Sequence, residues 1–149
     1  MATLEKIETN VEIKTNADKY WRTFRDYRTV FPKVFSKYRS IEILEGDGKS
    51  VGSVLRHITF EGSLKSATER IEAVDDEKRT LTYAVIDADI LQDYKNYKGH
   101  ISVTPKGNGS EVKWIAEYEK ASQEVPDPIS IKDYLVDTFL KLDAYIQKA

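Results

Sequence analysis

Cysteine is absent from the 149 residues of this chain, and only two histidines and one methionine are present. Without cysteine there can be no disulfide, no thiolate nucleophile and no cysteine-ligated zinc or iron–sulfur cluster. The two histidines, His57 and His100, are too few for a histidine-rich metal site. We therefore expect neither a metal ion nor another cofactor. Residues 1–10 are charged where a secretory signal would be apolar, so we expect a cytoplasmic protein.

The net charge is also small, and long apolar runs are absent from the sequence. The 23 Lys and Arg residues nearly balance the 25 Asp and Glu residues, which leaves a net charge of −2. A general polyanion binder needs a concentrated basic surface, so we expect no nucleic-acid partner. No apolar run approaches the roughly 18 residues of a membrane span. The length fits a single domain over residues 1–149.

Aromatic residues are abundant by contrast, with nine Tyr, five Phe and two Trp. Residues of this kind either fill a hydrophobic core or line a binding cavity. Which of the two applies depends on the faces of the helices and strands that carry them.

Period-two alternation predicts seven β-strands. The last strand is the clearest, because its residues Val112, Trp114 and Ala116 alternate with mostly charged ones. Short polar turns join successive strands, which implies an antiparallel meander. The predicted strands span residues 4–14, 38–45, 53–60, 64–74, 80–86, 94–104 and 110–120.

Two short helices are predicted after the first strand. Asn16 can cap the first of them, which would present one apolar face. That face is formed by Tyr20, Phe24 and Tyr27. A second short helix is expected around residues 30–35, with Pro32 in its first turn.

The last helix has the strongest start signal, with Asp127 as N-cap and Pro128 at the first helical position. It can continue to about Gln147. Its predicted buried stripe is Ile131, Tyr134, Leu135, Thr138, Leu142 and Tyr145. The order of elements predicts an α+β domain in which this long helix lies against the concave face of a curved antiparallel sheet.

Several segments are distinctive when taken together: residues 112–120, 125–128, 103–106, 69–75 and 31–34, with the glycine loop at 46–52. Over essentially the whole chain they resemble the plant major latex protein family, within the birch-pollen-allergen or pathogenesis-related class-ten superfamily. The resemblance implies a helix-grip fold with an internal cavity for small hydrophobic plant metabolites. Some relatives are carriers or receptors, and others are cofactor-free enzymes, so the family alone does not establish catalysis. The region of the first two helices is shorter than expected.

The resemblance also predicts the face of the strand on which His57 lies. Strand periodicity leaves its face open, but matching to the family places Leu55, His57 and Thr59 on the cavity side. An imidazole there could exchange a proton with a ligand near neutral pH. The alternative is a surface or hydrogen-bonded strand histidine. His100 matches an outward position.

Tyr83 and Glu69 occupy positions that border the pocket in the superfamily. The Tyr83 hydroxyl could orient a polar ligand group, or the ring could be a core aromatic with a satisfied hydroxyl. Glu69 could pair with His57 as its orienting carboxylate. A salt bridge with Lys95 or Arg70 is favoured, because an unpaired buried carboxylate is costly.

Small and polar residues on inward faces suggest space. Period two places Lys95 and Tyr97 on the face of Gly99, where a glycine would widen the cavity unless it marks a bulge or a close backbone approach. The catalytic candidates are His57, Tyr83 and Glu69. The expected ligand-binding residues are Leu55, Thr59, Leu64, Ser66, Leu81, Lys95, Tyr97, Gly99, Trp114, Ala116, Ile131, Tyr134, Leu135, Thr138 and Leu142.

The leading hypothesis is therefore a protein that binds a small hydrophobic metabolite and catalyses its cofactor-free cyclisation or isomerisation. Terpenoid, iridoid-type or alkaloid metabolism would supply such molecules. The alternative is a non-catalytic carrier or sensor of lipophilic metabolites or hormones, related to stress or defence. Either would act as a monomer or weak dimer, and an enzyme of the same pathway could be its partner.

Overall fold

The computed structural model describes residues 3–60 and 63–148. Within these residues, seven strands, three α-helices and one 3-10 helix follow one another along the chain. The strands are β1 (Leu4–Ile13), β2 (Tyr38–Glu45), β3 (Val54–Phe60), β4 (Leu64–Asp75), β5 (Thr80–Asp87), β6 (Tyr94–Lys106) and β7 (Gly109–Lys120). The α-helices are α1 (Ala17–Arg25), α2 (Tyr27–Val34) and α3 (Ile129–Lys148), and the 3-10 helix is Asp89–Gln92.

The seven strands form one antiparallel sheet in the order β1-β7-β6-β5-β4-β3-β2. From β2 to β7 each strand pairs with the next one along the chain, as in a meander. Strand β1 pairs with the free edge of β7, where Ile7 lies opposite Ala116. The predicted α+β architecture, a curved seven-stranded antiparallel sheet with a long C-terminal helix, is confirmed.

The hydrophobic core lies between the concave face of the sheet and helix α3. Strand β7 follows its predicted alternation, because Val112, Trp114 and Ala116 are fully buried and the residues between them are more exposed. Helix α3 adds Phe139 and Leu142 to the same cluster. Replacing a buried tryptophan by alanine typically costs about 3–5 kcal/mol, so Trp114 contributes strongly to the stability of the sheet.

The two short helices meet at Asp26, which differs from the prediction. Asn16 caps α1 as expected, since its side chain accepts a backbone N–H of the first turn at 2.9 Å. The carbonyl of Asp26 accepts the N–H of Val30 at 3.0 Å, so α2 begins at Tyr27. Tyr27 therefore belongs to the second helix, and Pro32 stands in the last turn of that helix. At a helix end its missing N–H removes few hydrogen bonds.

Helix α3 begins at Ile129, two residues after its predicted cap. Asp127 was predicted as N-cap, but its carboxylate is paired with Lys120 Nζ at 2.7 Å. The carbonyl of Pro128 accepts the N–H of Lys132 at 3.0 Å and so starts the helical hydrogen bonds. The predicted cap is wrong because this ion pair holds the Asp127 side chain away from the helix.

The buried stripe of α3 also differs from the prediction. Leu142 is fully buried as expected, whereas Tyr134 and Tyr145 are each 37% exposed and Asp143 is buried. The Asp143 carboxylate accepts hydrogen bonds from the backbone N–H groups of Lys14 and Thr15 at 2.9 and 3.0 Å. A charged group can lie in the interior here because its hydrogen bonds are satisfied. The contact fastens α3 to the end of β1.

Candidate functional site

A cavity with two chambers lies between the sheet, the two short helices and α3. The inner chamber has a volume of about 140 Å³ and the outer chamber about 390 Å³. Side chains that line both are Tyr38, His57, Glu69, Tyr83, Tyr134 and Leu135. The inner chamber alone is lined by Phe24, Tyr27, Phe31, Leu55, Ile71, Leu81, Ile101, Thr138 and Phe139. The outer chamber alone is lined by Lys37, Thr59, Lys65, Ser66, Ala67, Val85, Ala88, Asp89, Ile90, Tyr97, Ser130 and Ile131.

The two chambers differ in chemistry. The inner chamber is walled almost wholly by aromatic and aliphatic groups, and its volume is close to that of a dry cavity that holds a benzene ring, about 150 Å³. The outer chamber carries lysine, aspartate and serine residues towards the surface. The shared residues are mainly polar, so a ligand that occupies both chambers would have its apolar end inside and a polar group at the junction.

A hydrogen bond at Nδ1 and an ion-pair contact at Nε2 hold His57 at this junction. Its Nε2 atom lies 3.2 Å from Glu69 Oε1, and its Nδ1 atom lies 3.1 Å from the Tyr38 hydroxyl. Glu69 stands on β4 opposite Leu55, two residue pairs away from His57 on β3. The predicted pairing of Glu69 with His57 is therefore present. The favoured salt bridge of Glu69 with Lys95 or a neighbouring arginine is not formed in the described structure.

The ionised carboxylate determines which nitrogen carries the proton. A carboxylate oxygen attracts an N–H and repels a nitrogen lone pair, so Nε2 of His57, 3.2 Å from Glu69 Oε1, is the nitrogen that carries the proton. In the neutral imidazole Nδ1 is then an acceptor, and the Tyr38 hydroxyl donates to it. We assign the tautomer on this basis.

Tyr83 places a second hydroxyl at the junction. The indole Nε1–H of Trp114 donates to the Tyr83 oxygen at 3.2 Å, which leaves the phenolic proton to donate elsewhere. Burial raises the pKa of Tyr83 above its ordinary value, and the nearby Glu69 charge raises it further. The group is thus a neutral hydrogen-bond donor at neutral pH, suited to a ligand carbonyl or enol oxygen.

Gly99 explains how the Tyr83 ring fits against the sheet. The two residues face each other across β5 and β6, and a Cβ on Gly99 would lie 2.2 Å from Cζ of the Tyr83 ring. The predicted widening of the cavity by Gly99 is wrong, because the tyrosine ring fills that space. The approach to Gly99 is by a side chain, whereas the alternative reading of this glycine named a backbone.

Twelve of the predicted site residues line the cavity. Those at the junction are His57, Glu69, Tyr83, Tyr134 and Leu135. Those in one chamber are Leu55, Leu81 and Thr138 in the inner one, and Thr59, Ser66, Tyr97 and Ile131 in the outer one. Their role in binding stays a prediction. The hydroxyl of Thr138 donates to the Tyr134 carbonyl at 2.8 Å, so it offers a ligand only an acceptor.

Six predicted residues do not line either chamber. Gly99 faces the Tyr83 ring, and Leu64, the first residue of β4, is 61% exposed. Trp114, Ala116 and Leu142 are fully buried in the packed core behind the cavity wall.

Lys95, the sixth, points outward because strand β6 contains a bulge. Asn96 has a φ of +52°, and the pairing with β7 shifts register between Lys95 and Lys98. The extra residue reverses the alternation, so Tyr94 and Tyr97 are both buried and Lys95 is exposed. Asparagine tolerates the left-handed conformation, but an isolated asparagine does not identify a bulge in a sequence.

Tyr38 is a functional candidate at the junction that the sequence did not predict. A register shift between Tyr38 and Ser40 lies at the start of β2. Arg39 would share the inward face of Ile41 in a regular strand, but the bulge puts Tyr38 on that face instead. The inward aromatics of the short helices are different, because the spacing of Phe24, Tyr27 and Phe31 along the sequence is a visible signal.

Neither a metal-binding group of side chains nor a membrane-spanning helix is found in the described part of the chain. Within residues 3–60 and 63–148, no group of three or more His, Asp or Glu side chains is arranged to hold a metal ion. No helix in the same part of the chain is long and apolar enough to cross a membrane.

Comparison with known proteins agrees with the fold. Residues 2–149 match the Pathogenesis-related protein Bet v 1 family. The MLP-like protein 423 of Arabidopsis thaliana is 43% identical over 146 residues, which cover 95% of this chain and 94% of that protein. The crystal structure of major latex-like protein 151 from Panax ginseng has a TM-score of 0.83 at 25% identity, and the match covers 95% of this chain and 97% of that one.

A further structural neighbour is norcoclaurine synthase from Thalictrum flavum, solved in complex with dopamine and hydroxybenzaldehyde. Its TM-score is 0.78 at 21% identity, and the match covers 99% of this chain and 88% of that one, which shows a shared fold alone. Sheet, long helix and cavity together define the helix-grip class. The chain belongs to the Pathogenesis-related protein Bet v 1 family, and its likeness to the major latex proteins is confirmed.

Proposed function

We propose that the protein binds a small, mostly hydrophobic plant metabolite in the two chambers and catalyses its cofactor-free isomerisation or cyclisation. The observation that carries this proposal is His57, an imidazole oriented by Glu69 at the junction of an apolar and a more polar chamber. A proton-exchanging group of this kind beside an enclosed apolar space suits a ligand with an enolisable carbonyl.

The shape of the cavity supports a reaction based on enclosure. An apolar ring or chain in the inner chamber would fix the reactive group against His57 and Tyr83. The Tyr83 hydroxyl would donate to the carbonyl oxygen and stabilise negative charge as it develops there. Exclusion of water would protect a short-lived enol and direct its ring closure. We propose terpenoid, iridoid-type or alkaloid intermediates as the substrate class and the cytoplasm as the location.

The test is product analysis with a panel of terpenoid and alkaloid-precursor aldehydes and ketones. We expect one class to give a product rate or stereoisomer ratio that differs from that in buffer. His57→Gln and Tyr83→Phe should return both quantities towards the buffer values, whereas Tyr145→Phe, outside the lining of both chambers, should not. Unchanged rates and ratios in both site variants would contradict the catalytic proposal.

A non-catalytic carrier or sensor is the second candidate, and one observation favours it. Both ring nitrogens of His57 already face a partner, Tyr38 through a hydrogen bond and Glu69 through an ion-pair contact, so the imidazole is not freely available to a ligand. A carrier predicts saturable binding and a higher unfolding temperature with ligand. It also predicts that the ligand is recovered unchanged by mass spectrometry.

A further inference from the structure

The Tyr38 hydroxyl covers the only basic nitrogen of His57. Its oxygen lies 3.1 Å from Nδ1, and Tyr38 lines both chambers. Because the proton is on Nε2, which faces the Glu69 carboxylate, Nδ1 is the sole lone pair that the neutral ring could use as a base. A ligand at the junction that keeps this hydrogen bond intact therefore meets the Tyr38 oxygen before it meets the imidazole.

Packing holds the Tyr38 ring in this position. The ring makes edge-on contacts with Phe31 at 5.6 Å and with His57 at 5.9 Å between centroids, and Phe35 lies 6.0 Å away. The bulge at the start of β2 fixes the backbone that carries it. The hydroxyl is thus preorganised between the histidine and the cavity.

The other groups around Tyr38 favour its neutral form. Burial raises the pKa of Tyr38 well above its ordinary value, and neighbouring Tyr134, Glu69 and Tyr83 add to this shift. The phenol cannot act as a base by losing its proton to water. It can accept a proton only if its own proton leaves at the same time, and His57 is the hydrogen-bonded acceptor for it.

We propose, on the basis of the function proposed above, that Tyr38 is the catalytic residue that exchanges a proton with the ligand. His57 is the site that stores the proton, and Glu69 balances its charge. The ligand group is an enol, a phenol-type hydroxyl or the C–H beside a carbonyl.

In this step the ligand O–H or C–H bond breaks and its proton bonds to the Tyr38 oxygen. The Tyr38 O–H bond breaks, and that proton bonds to His57 Nδ1. The electron pair stays on the ligand as an enolate, which accepts a hydrogen bond from Tyr83. The imidazolium is stabilised by the Glu69 carboxylate. The reverse transfer, to a different ligand atom, completes an isomerisation with no net loss of protons.

Naphthols of graded acidity provide a probe, because they resemble an enol attached to an apolar ring and their neutral and ionised forms absorb differently. With the wild-type protein we expect saturable binding, and an ionised fraction that rises as the solution pKa of the naphthol falls. Tyr38→Phe should still bind the neutral naphthol, but its bound ionised fraction should fall by about tenfold or more. Tyr145→Phe is the matched control and should behave as wild type.

The proton on His57 is the second readout. In the complex of wild-type protein with an acidic naphthol, ¹⁵N spectra should show His57 protonated at both nitrogens, and Tyr38→Phe should abolish this signature. Full ionisation in Tyr38→Phe together with its loss in His57→Gln would overturn the proposal, since the ligand would then contact His57 directly. Binding without ionisation in wild type would also overturn it, yet leave the binding function standing. Absence of binding would overturn both.

Discussion

The two histidines of this chain lie on opposite faces of the sheet, and each has a hydroxyl beside Nδ1 and a carboxylate beside Nε2. His57, on the cavity side, has the Tyr38 hydroxyl 3.1 Å from Nδ1 and the Glu69 carboxylate 3.2 Å from Nε2. His100, on the outer face, also has a hydroxyl at Nδ1 and a carboxylate at Nε2. The pattern itself therefore does not identify a functional histidine.

The partners of His100 are Thr82 at 2.9 Å and Glu117 at 2.6 Å, both closer than the partners of His57. The difference lies in what surrounds the ring. The His100 side chain is 34% exposed and lines neither chamber, whereas the His57 side chain is 13% exposed and lines both. A carboxylate–imidazole–hydroxyl arrangement satisfies a strand histidine on either face. Adjacent enclosed space is what makes one of them a candidate for chemistry.

The largest expected effect is a difference in turnover between a His57 variant and a His100 variant. His57→Gln should lower turnover of a carbonyl substrate by about 10²–10⁴-fold, because it removes the proton-storing group. His100→Gln should change the rate by less than about twofold, since surface substitutions away from a site have small effects. Initial rates measured under identical conditions compare the two variants. Equal losses would show that His57 acts only through the stability of the fold.

The carboxylates extend the comparison. Glu69→Gln keeps the size of the side chain but removes the charge that would stabilise an imidazolium, so turnover should fall by about tenfold or more. Glu117→Gln makes the same change beside His100 and should leave turnover unaltered. The readout is kcat with KM determined in parallel. A loss confined to KM for Glu69→Gln would contradict a role in charge balance.

Packing at the two faces of β6 should differ as well. Gly99→Ala places a methyl group against the Tyr83 ring and should destabilise the fold by about 1–3 kcal/mol. Ser102→Ala, on the opposite face of the strand, should cost no more than about 0.5 kcal/mol. Urea denaturation gives both free energies of unfolding. Similar small values for the two variants would mean that Tyr83 is not confined by Gly99.

The smallest expected effect is on the free energy of unfolding at alkaline pH. Burial raises the pKa of Tyr83 above the value of 10.0 for an unperturbed phenol. Its contribution to stability is complete below about pH 10 and declines as the pH rises from the unfolded pKa towards the folded one. Tyr83→Phe should therefore flatten the fall in the free energy of unfolding above pH 10. Identical slopes in wild type and Tyr83→Phe would contradict the assignment.

Regular periodicity made much of the fold predictable. In β7 the alternation of Val112, Trp114 and Ala116 identifies the buried face, because side chains of a strand alternate between its two sides. The Asn16 cap was predictable because its hydrogen bond is local in sequence. Placing His57 inward needed the family resemblance, since apolar residues occur on both sides of β3.

The remaining features depend on departures from periodicity or on distant partners. Tyr38 lies on the cavity side and Lys95 on the outer side, because a bulge in each strand shifts the alternation by one residue. Gly99 could be read either as space or as close packing until its cross-strand neighbour was known to be Tyr83. Asp127 does not cap α3 as predicted, because its carboxylate pairs with Lys120, which is seven residues earlier in the chain. Such contacts are set by tertiary structure.

The most direct test of the central claim is the ¹⁵N–¹H spectrum of the two imidazoles during titration with an acidic naphthol. We expect the His57 signals to shift saturably and acquire the doubly protonated signature, while the His100 signals stay unchanged. Unchanged His57 signals at full naphthol occupancy, or equal shifts of both histidines, would contradict it.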